Sequence, residues 1–337
     1  MNVQSSPTPK TGAVDQVRLP DGPTTLRSRF MVVDDFLDET EAAAMRGHID
    51  THFSDPQNHS AEIHQIWNYW YIPRLYTYLR TRPEKVMPDA VVHHFVDELR
   101  SWAKERLGLG YVSWPFLSLY VNGCVQELHN DSLGGRFGYV YSLTRNDRSS
   151  RGGQTIVLQE GDLFRSKLTT AEAGSGLYDL VPPDFNRLVV FDDRMPHGVQ
   201  RVEGSMDPYD GRLVLHGHLS EDGPIADGPL TRQALQKAVL PAITATLKAA
   251  GAGAQLHHGP LVVRLAIGAD GIVQDHRVLV DRVARPDGQS PAELVGALIE
   301  AMAGSRFPEQ PKPTVATIPL MLGGVLPWMK QQMPAQQ

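Results

Sequence analysis

Cysteine is nearly absent. Cys124 is the only one, so no intramolecular disulfide can form and no thiolate cluster can hold zinc, which suits a reducing compartment. No run of about 18 consecutive apolar residues occurs, as a membrane-spanning helix would need. The opening MNVQSSPTPKTGAVDQVRLPDG has neither the basic start nor the apolar core of a secretory signal. A basic excess is also missing: the formal charge is −6 and the Lys and Arg residues are scattered, so no nucleic-acid footprint is present. These absences lead to the expectation of a cytoplasmic protein that binds neither membrane nor nucleic acid. Internal repeats and low-complexity tracts are absent as well.

What is present is a chain of 337 residues, 41% of them hydrophobic, enough for a sizeable core in two domains or in one large domain with an appendage. Residues 1–28 are rich in Pro, Thr, Ser and Gly without apolar periodicity, which predicts a flexible arm. RFMVVDDFL then reads as a strand, and DETEAAAMRGHIDTHF as a helix with Asp38 at its N-cap. A second helix is predicted from about Pro88 to Leu107, with Val92, Phe95, Leu99 and Trp102 on one face and Gly108 and Gly110 to stop it.

From Tyr111 the texture becomes short β-branched and aromatic runs between turn residues: YVSWPFLSLYV, FGYVYSLT, QTIVLQEGD, RLVVFD and GRLVLHGHL. That spacing predicts a sandwich or barrel. EDGPIADGP reads as a linker, and LTRQALQKAVLPAITATLKAAG as a helix that Pro241 can kink. The end of the chain has its own order: PLVVRLAI and IVQDHRVLVD flank GADG as a hairpin, SPAELVGALIEAMAG starts a helix with Ser290 at the N-cap, Pro291 at the first position and Glu293 completing a capping box, and TVATIPLML is a last strand. The division expected is an arm at 1–28, a mainly β domain with flanking helices at 29–222, a linker and helix at 223–258, a small α/β module at 259–327 and a tail at 328–337.

One short stretch carries chemistry. In QELHNDSLGGRFG, His129 and Asp131 stand two apart on a predicted strand and so project from the same face. Alone, the pair fits metal ligands or ordinary polar residues of a solvated strand. His197, in VVFDDRMPHGVQRV, offers a third ligand. Two imidazoles and a carboxylate on one face of an octahedron leave three adjacent positions open, the arrangement of non-haem Fe(II) oxygenases.

LYVNGCVQELHND, YVYSLTRNDRSSRGGQTIVL, MPHGVQRV and GRLVLHGHL follow one another in an order that closely resembles the Fe(II)- and 2-oxoglutarate-dependent dioxygenases of the prolyl-hydroxylase type, over about residues 30–220. The resemblance implies a double-stranded β-helix of the jelly-roll or cupin kind, within an α+β chain. It makes His129, Asp131 and His197 the iron ligands, with 2-oxoglutarate as co-substrate, O2 as oxidant and ascorbate as an accessory reductant. Arg212 would hold the far carboxylate of 2-oxoglutarate through two parallel charge-assisted hydrogen bonds, and Tyr120, nine residues before His129, matches a family Tyr that donates to the same molecule.

Arg212 lies further beyond the distal His than is usual in the family, and the turn GSMDPYDG accommodates the extra residues. Arg201 is the rival anchor, because it shares strand parity with His197; Arg212 is favoured because it opens the strand RLVLHGHL. Relatives that halogenate carry a small residue where Asp131 stands, so hydroxylation is implied, with succinate and CO2 released. The substrate expected is a small amino-acid-derived metabolite or a peptide. A barrel that binds a ligand or partner without turnover is the alternative.

Other features leave two readings each. His216 and His218 share the face of Arg212 and either contact substrate or serve the core, whereas His93 and His94 on the second helix have no ligand spacing and are read as structural. IWNYWYIPRLYTYLR gathers Trp67, Tyr69, Trp70, Tyr71, Tyr76 and Tyr78, which either line the pocket mouth or form core, with Arg74 available to an acidic substrate group. The C-terminal module, with its Phe307-Pro308 pair, resembles the C-terminal domain of TonB-type energy transducers. Without a membrane anchor that resemblance implies a docking surface, for a partner protein or a second copy of the chain, or a packing role against the barrel.

Overall fold

The computed structural model describes residues 18–19, 22–54, 65–131, 136–158, 177–285 and 287–323. The chain divides into two compact units, one of residues 27–222 and one that joins residues up to 26 with those from 223 onward.

The larger unit begins with β1 (Phe30–Val33) and α1 (Glu39–Ser54); Asp38 caps the helix by accepting from the Thr40 N–H at 2.9 Å. A hairpin follows, β2 (Asn68–Ile72) and β3 (Tyr76–Thr81), then α2 (Asp89–Arg106). YVSWPFLSLYV forms two strands, β4 (Tyr111–Val112) and β5 (Phe116–Tyr120), because Pro115 has no N–H to give a ladder. β6 (Val125–His129), β7 (Phe137–Ser142), β8 (Thr155–Leu158), β9 (Tyr178–Val181), β10 (Arg187–Asp192), β11 (His197–Val199) and β12 (Arg212–Ser220) complete it.

All these strands belong to one curled antiparallel sheet in the order β1-β10-β7-β12-β5-β3-β6-β11-β8-β9, with β2 added on β3 and β4 on β12. β3 carries the curl: its Leu79–Thr81 end pairs with β5, while Tyr76 and Thr77 pair with β6. One layer therefore leads through β3 into the other, which makes the jelly roll expected from the sequence. Alternation places Arg212, Val214, His216 and His218 of β12 on the inner, cavity-lining face, opposite Tyr120 and Phe116 of β5.

The helices cover the outer side of the layer. Val92, Phe95, Val96 and Leu99 recur along α2 at helical spacing and are all buried, and Phe95 meets Tyr141 of β7 at 5.0 Å between ring centroids. Truncating Phe95 to Ala would cost about 3–5 kcal/mol. Asn186 fixes the entry to α1: its side-chain oxygen accepts from Leu37 N–H (3.0 Å) and Tyr141 O–H (2.8 Å), and its amide donates to Leu37 O (2.8 Å). Its φ of 60° lies in the left-handed region that Asn tolerates better than most residues.

The second unit has a four-stranded sheet in the order β13-β16-β14-β15, with β13 (Ile225–Asp227), β14 (Gly259–Ile267), β15 (Val273–Asp281) and β16 (Thr314–Leu322). Helices α3 (Arg232–Ala249) and α4 (Ala292–Ala303) supply Leu235, Val239 and Ile243, and Leu294, Leu298 and Met302, to one core with Leu261, Val263, Ala316 and Ile318. The predicted strand-strand-helix-strand order is thus present, and the stretch read as linker contributes β13 to the same sheet. α3 continues through Pro241. α4 starts one residue later than the capping box implied: Ser290 Oγ accepts from the Ala292 N–H at 3.3 Å, and Pro291 stands at the N-cap.

The far end of the expected arm also belongs here. Leu26 bridges Val280 in parallel, donating its N–H to Leu279 O (2.8 Å) and accepting from the Asp281 N–H (3.0 Å), while Thr25 Oγ1 donates to Val278 O at 2.7 Å. Residues 1–17, the Gly-rich stretch 132–135 and the tail from 324 lie outside the described residues.

Candidate active site

His129 ends β6 and His197 begins β11, and the two are direct cross-strand partners. Asp131 lies just past the end of β6, held by its own N–H donating to Asp193 O at 3.0 Å. The sequence placed His129 and Asp131 on one strand face; the structure brings them together where the strand ends, the carboxylate folding back toward both rings. Asp131 Oδ1 is 3.6 Å from His129 Nε2, and Oδ2 is 3.3 Å from His197 Nε2. Ligand atoms of all three residues lie within 4.8 Å of one another.

Each imidazole is oriented by its own backbone. His129 Nδ1 is 2.9 Å from Glu127 O, and His197 Nδ1 is 3.0 Å from Met195 O. A carbonyl can only accept, so the Nδ1 of each ring carries the proton and the neutral ring turns an Nε2 lone pair inward. Gln126 Nε2, 3.2 Å away, donates to the His129 lone pair, and Gln126 Oε1 accepts from Tyr120 O–H at 3.1 Å. The two Nε2 atoms and the carboxylate thus converge on one point, an arrangement that suits a cation, proton or metal.

The electrostatics agree. Burial lowers the pKa of His129, and the neighbouring His197 lowers it further, so the ring favours the neutral, ligating form. Burial alone would raise Asp131, but when His197 is protonated its hydrogen bond and charge, ahead of the charges of His129 and His218, hold the carboxyl at about 2. Behind it, Asp193 is buried and its pKa is raised by burial; His218 Nδ1 stands 3.5 Å from it and is itself raised by that contact.

These residues open into a cavity of about 290 Å³ inside the roll. Arg212 lines one side, 1% exposed, its guanidinium carbon 4.8 Å from the Tyr120 ring centroid and its NH2 group donating to Thr155 Oγ1 at 3.2 Å. Its Nε–H is buried with no acceptor among the described residues. Burial lowers its pKa to about 10, so it stays cationic at neutral pH. Tyr120 is buried, and burial pushes its phenol up, so it keeps its proton; Tyr78 stacks on it at 4.9 Å. Arg201, the rival anchor, is exposed and does not line the cavity.

The Gly-Gly-Gln-Thr turn makes room for Arg212. Gly153 has φ +78°, and a Cβ there would come within 3.0 Å of Arg212 Cδ. Trp70, Tyr76 and Tyr78 of the aromatic stretch line the cavity, whereas Tyr69 and Tyr71 are exposed, stacked on the other face of β2. His216 and His218 line it too; His93 packs on Trp114, and His94 reaches Glu41 at 3.0 Å. Sequence reasoning missed Gln126, Thr155 and Asp193. Thr155 sits in the quoted turn and Asp193 in the run before His197, but nothing in residue type distinguished them from neighbouring polar groups.

No protein-family model matches the chain. No curated protein matches it either. Among solved structures it is similar to a prolyl-4-hydroxylase of Pseudomonas putida, at 17% identity over 57% of this chain and 92% of that one, TM-score 0.40. It is also similar to a Trichoplax adhaerens prolyl hydroxylase in complex with a hypoxia inducible factor peptide (16% identity, 58% and 84% covered, TM-score 0.40). A third is HygX of Streptomyces hygroscopicus with nickel, 2-oxoglutarate and hygromycin B bound (13%, 57% and 84%, TM-score 0.37). Likenesses this distant say nothing of this chain's chemistry. No helix among the described residues is long and apolar enough to cross a membrane.

Proposed function

We propose that the unit of residues 27–222 is an Fe(II)- and 2-oxoglutarate-dependent dioxygenase that hydroxylates an unactivated C–H bond of a small amino-acid-derived metabolite or a peptide, releasing succinate and CO2. The observation that carries this reading is the convergence of His129 Nε2, His197 Nε2 and the Asp131 carboxylate, with both Nδ1 atoms committed to backbone carbonyls.

Two imidazoles and one carboxylate suit a divalent iron that keeps positions open for other ligands. Iron held there would supply the oxidising chemistry that protein side chains lack. The chain's own residues do the rest. Glu127 O and Met195 O fix the ring tautomers, and the Asp193 carbonyl holds Asp131 in place. Arg212, with a buried unpartnered Nε–H beside its bonded NH2, fits the far carboxylate of 2-oxoglutarate. Tyr120 O–H donates to Gln126 within reach of the same space and is the second group assigned to the co-substrate. Trp70, Tyr76 and Tyr78 give the reacting centre an aromatic wall.

Anaerobic addition of Fe(II) and 2-oxoglutarate should give a weak visible charge-transfer band, and admission of oxygen should then release succinate. Folded protein that shows neither would overturn the proposal in favour of a barrel that binds without turnover. His129→Ala should lose both signals and His93→Ala neither. A docking or dimerisation role for the C-terminal unit belongs to the same proposal, and the oligomeric state of the full chain in solution tests the dimer.

A further inference from the structure

Arg80 lines the same cavity as Arg212, and its setting is unusual for an arginine. Tyr76, Tyr78 and Arg80 alternate along β3, so all three turn to the cavity face. The Arg80 guanidinium carbon lies 3.8 Å from the Trp70 ring centroid and 4.1 Å from that of Phe116. Two aromatic rings thus flank the guanidinium, Trp70 from β2 and Phe116 from β5, and cation–π contacts of this kind engage its faces. The donors of a guanidinium lie in its plane, so this clamp leaves the N–H edge to bind. Among the described residues no carboxylate, carbonyl or hydroxyl accepts a hydrogen bond from that edge.

The charges in the cavity are also unequal. Arg80 and Arg212 are both there, and Asp131 is the one carboxylate among the described lining residues. If a divalent metal faces Asp131 and a dicarboxylate faces Arg212, one positive charge is left without a counterpart, and it is that of Arg80. We propose that Arg80 is a specificity-determining residue that receives a carboxylate of the substrate, so that the compound oxidised is an acid rather than a neutral molecule. The inference rests on the oxygenase reading of the site and deepens it. A monocarboxylate fits better than a phosphate dianion, because one guanidinium edge satisfies two oxygens and the remaining charge is single. The stacked walls favour an apolar body next to that carboxylate.

The rival role for Arg80 is a cation–π clip that only pins the β2–β3 hairpin. Calorimetric titration of the full chain, held anaerobically with Fe(II) and saturating 2-oxoglutarate, separates the two. The probes are phenylacetate, for a free acid; phenylacetamide, its neutral counterpart; and acetyl-aspartyl-amide, for an acid borne on a peptide. Phenylacetate or the aspartyl compound should bind about tenfold or more tightly than phenylacetamide, and whichever binds better identifies the source of the carboxylate. Arg80→Gln should abolish that preference while keeping 2-oxoglutarate binding, which also shows that the variant is folded; Arg80→Lys should retain part of it.

Equal binding of acid and amide, an undiminished preference in Arg80→Gln, or no binding of either acid by protein that does take up 2-oxoglutarate would each overturn the assignment of Arg80. Failure of the wild type to bind 2-oxoglutarate is a different result: it removes the oxygenase reading, and the Arg80 assignment with it.

Discussion

His129 and His197 face each other across antiparallel strands, with ring centroids 4.4 Å apart and each Nδ1 bonded to the carbonyl two residues before it. Two rings so close cannot both be protonated without repulsion, and a shared cation removes the conflict. Asp131→Asn deletes the negative charge at that point while preserving shape. Affinity for Fe(II), measured anaerobically by titration, should fall at least about 100-fold, with little change in thermal stability.

Arg212 and Arg201 make opposite predictions. Arg212→Ala leaves Thr155 and Tyr120 without their cationic neighbour and should weaken 2-oxoglutarate binding by about 2–4 kcal/mol. Arg201→Ala, at an exposed position, should leave it unchanged. Equal losses in the two variants would remove Arg212 from its assigned place.

Gly153 and Gly123 separate backbone strain from crowding. Both have positive φ, but a Cβ on Gly123 meets nothing within 4 Å, whereas one on Gly153 presses on Arg212 Cδ and Val202 Cγ2. Gly123→Ala should cost about 1 kcal/mol of stability from the left-handed conformation alone. Gly153→Ala should cost about 2–3 kcal/mol and also weaken 2-oxoglutarate binding, because the atom that must move belongs to Arg212.

His216 gives the protein an acid-sensitive spot. Its Nε2 bonds Ser118 Oγ at 2.8 Å, and burial, then the charges of Arg80 and Arg212, depress its pKa to about 3. The ring is partly open to the cavity yet enclosed by protein, so cavity water moderates the effect. In the unfolded chain the same group titrates near 6.5, so protons bind the unfolded state first. The contribution of His216 is complete above about pH 6.5 and is lost as pH falls from there toward 3. Between pH 7 and 5 the wild type should lose about 1–2 kcal/mol more stability than His216→Gln, as read by denaturant unfolding at each pH.

The sequence was most informative where local pattern and chemistry coincide. Helix α2 could be read from Val92, Phe95 and Leu99, and the site from His129, Asp131 and His197, because residue type already restricts what each can do. The β2–β3 hairpin was not assigned from IWNYWYIPRLYTYLR, since aromatics at nearly every position show no alternation; its two faces separate only when Trp70 meets the cavity and Tyr69 the outside. β9 went unassigned because Tyr178–Val181 lies next to a long polar stretch and finds its place only by pairing with β8. Arg80 was invisible for a further reason: its partners, Trp70 and Phe116, come from two other strands, and only the curl of the sheet brings them around one guanidinium.

The strap of residues 25–26 on β15 sets an order on how the molecule is made. Thr25 and Val278 are 253 positions apart, so the segment synthesised early must wait for almost the whole chain before its partner strand exists. The unit of residues 27–222 can leave the ribosome and fold in that interval, as a domain inserted into another. Closing the smaller unit is then a late event with high contact order. Until Leu26 arrives, β15 is an open sheet edge, and a chain shortened at its start would keep that edge available for pairing with a second molecule.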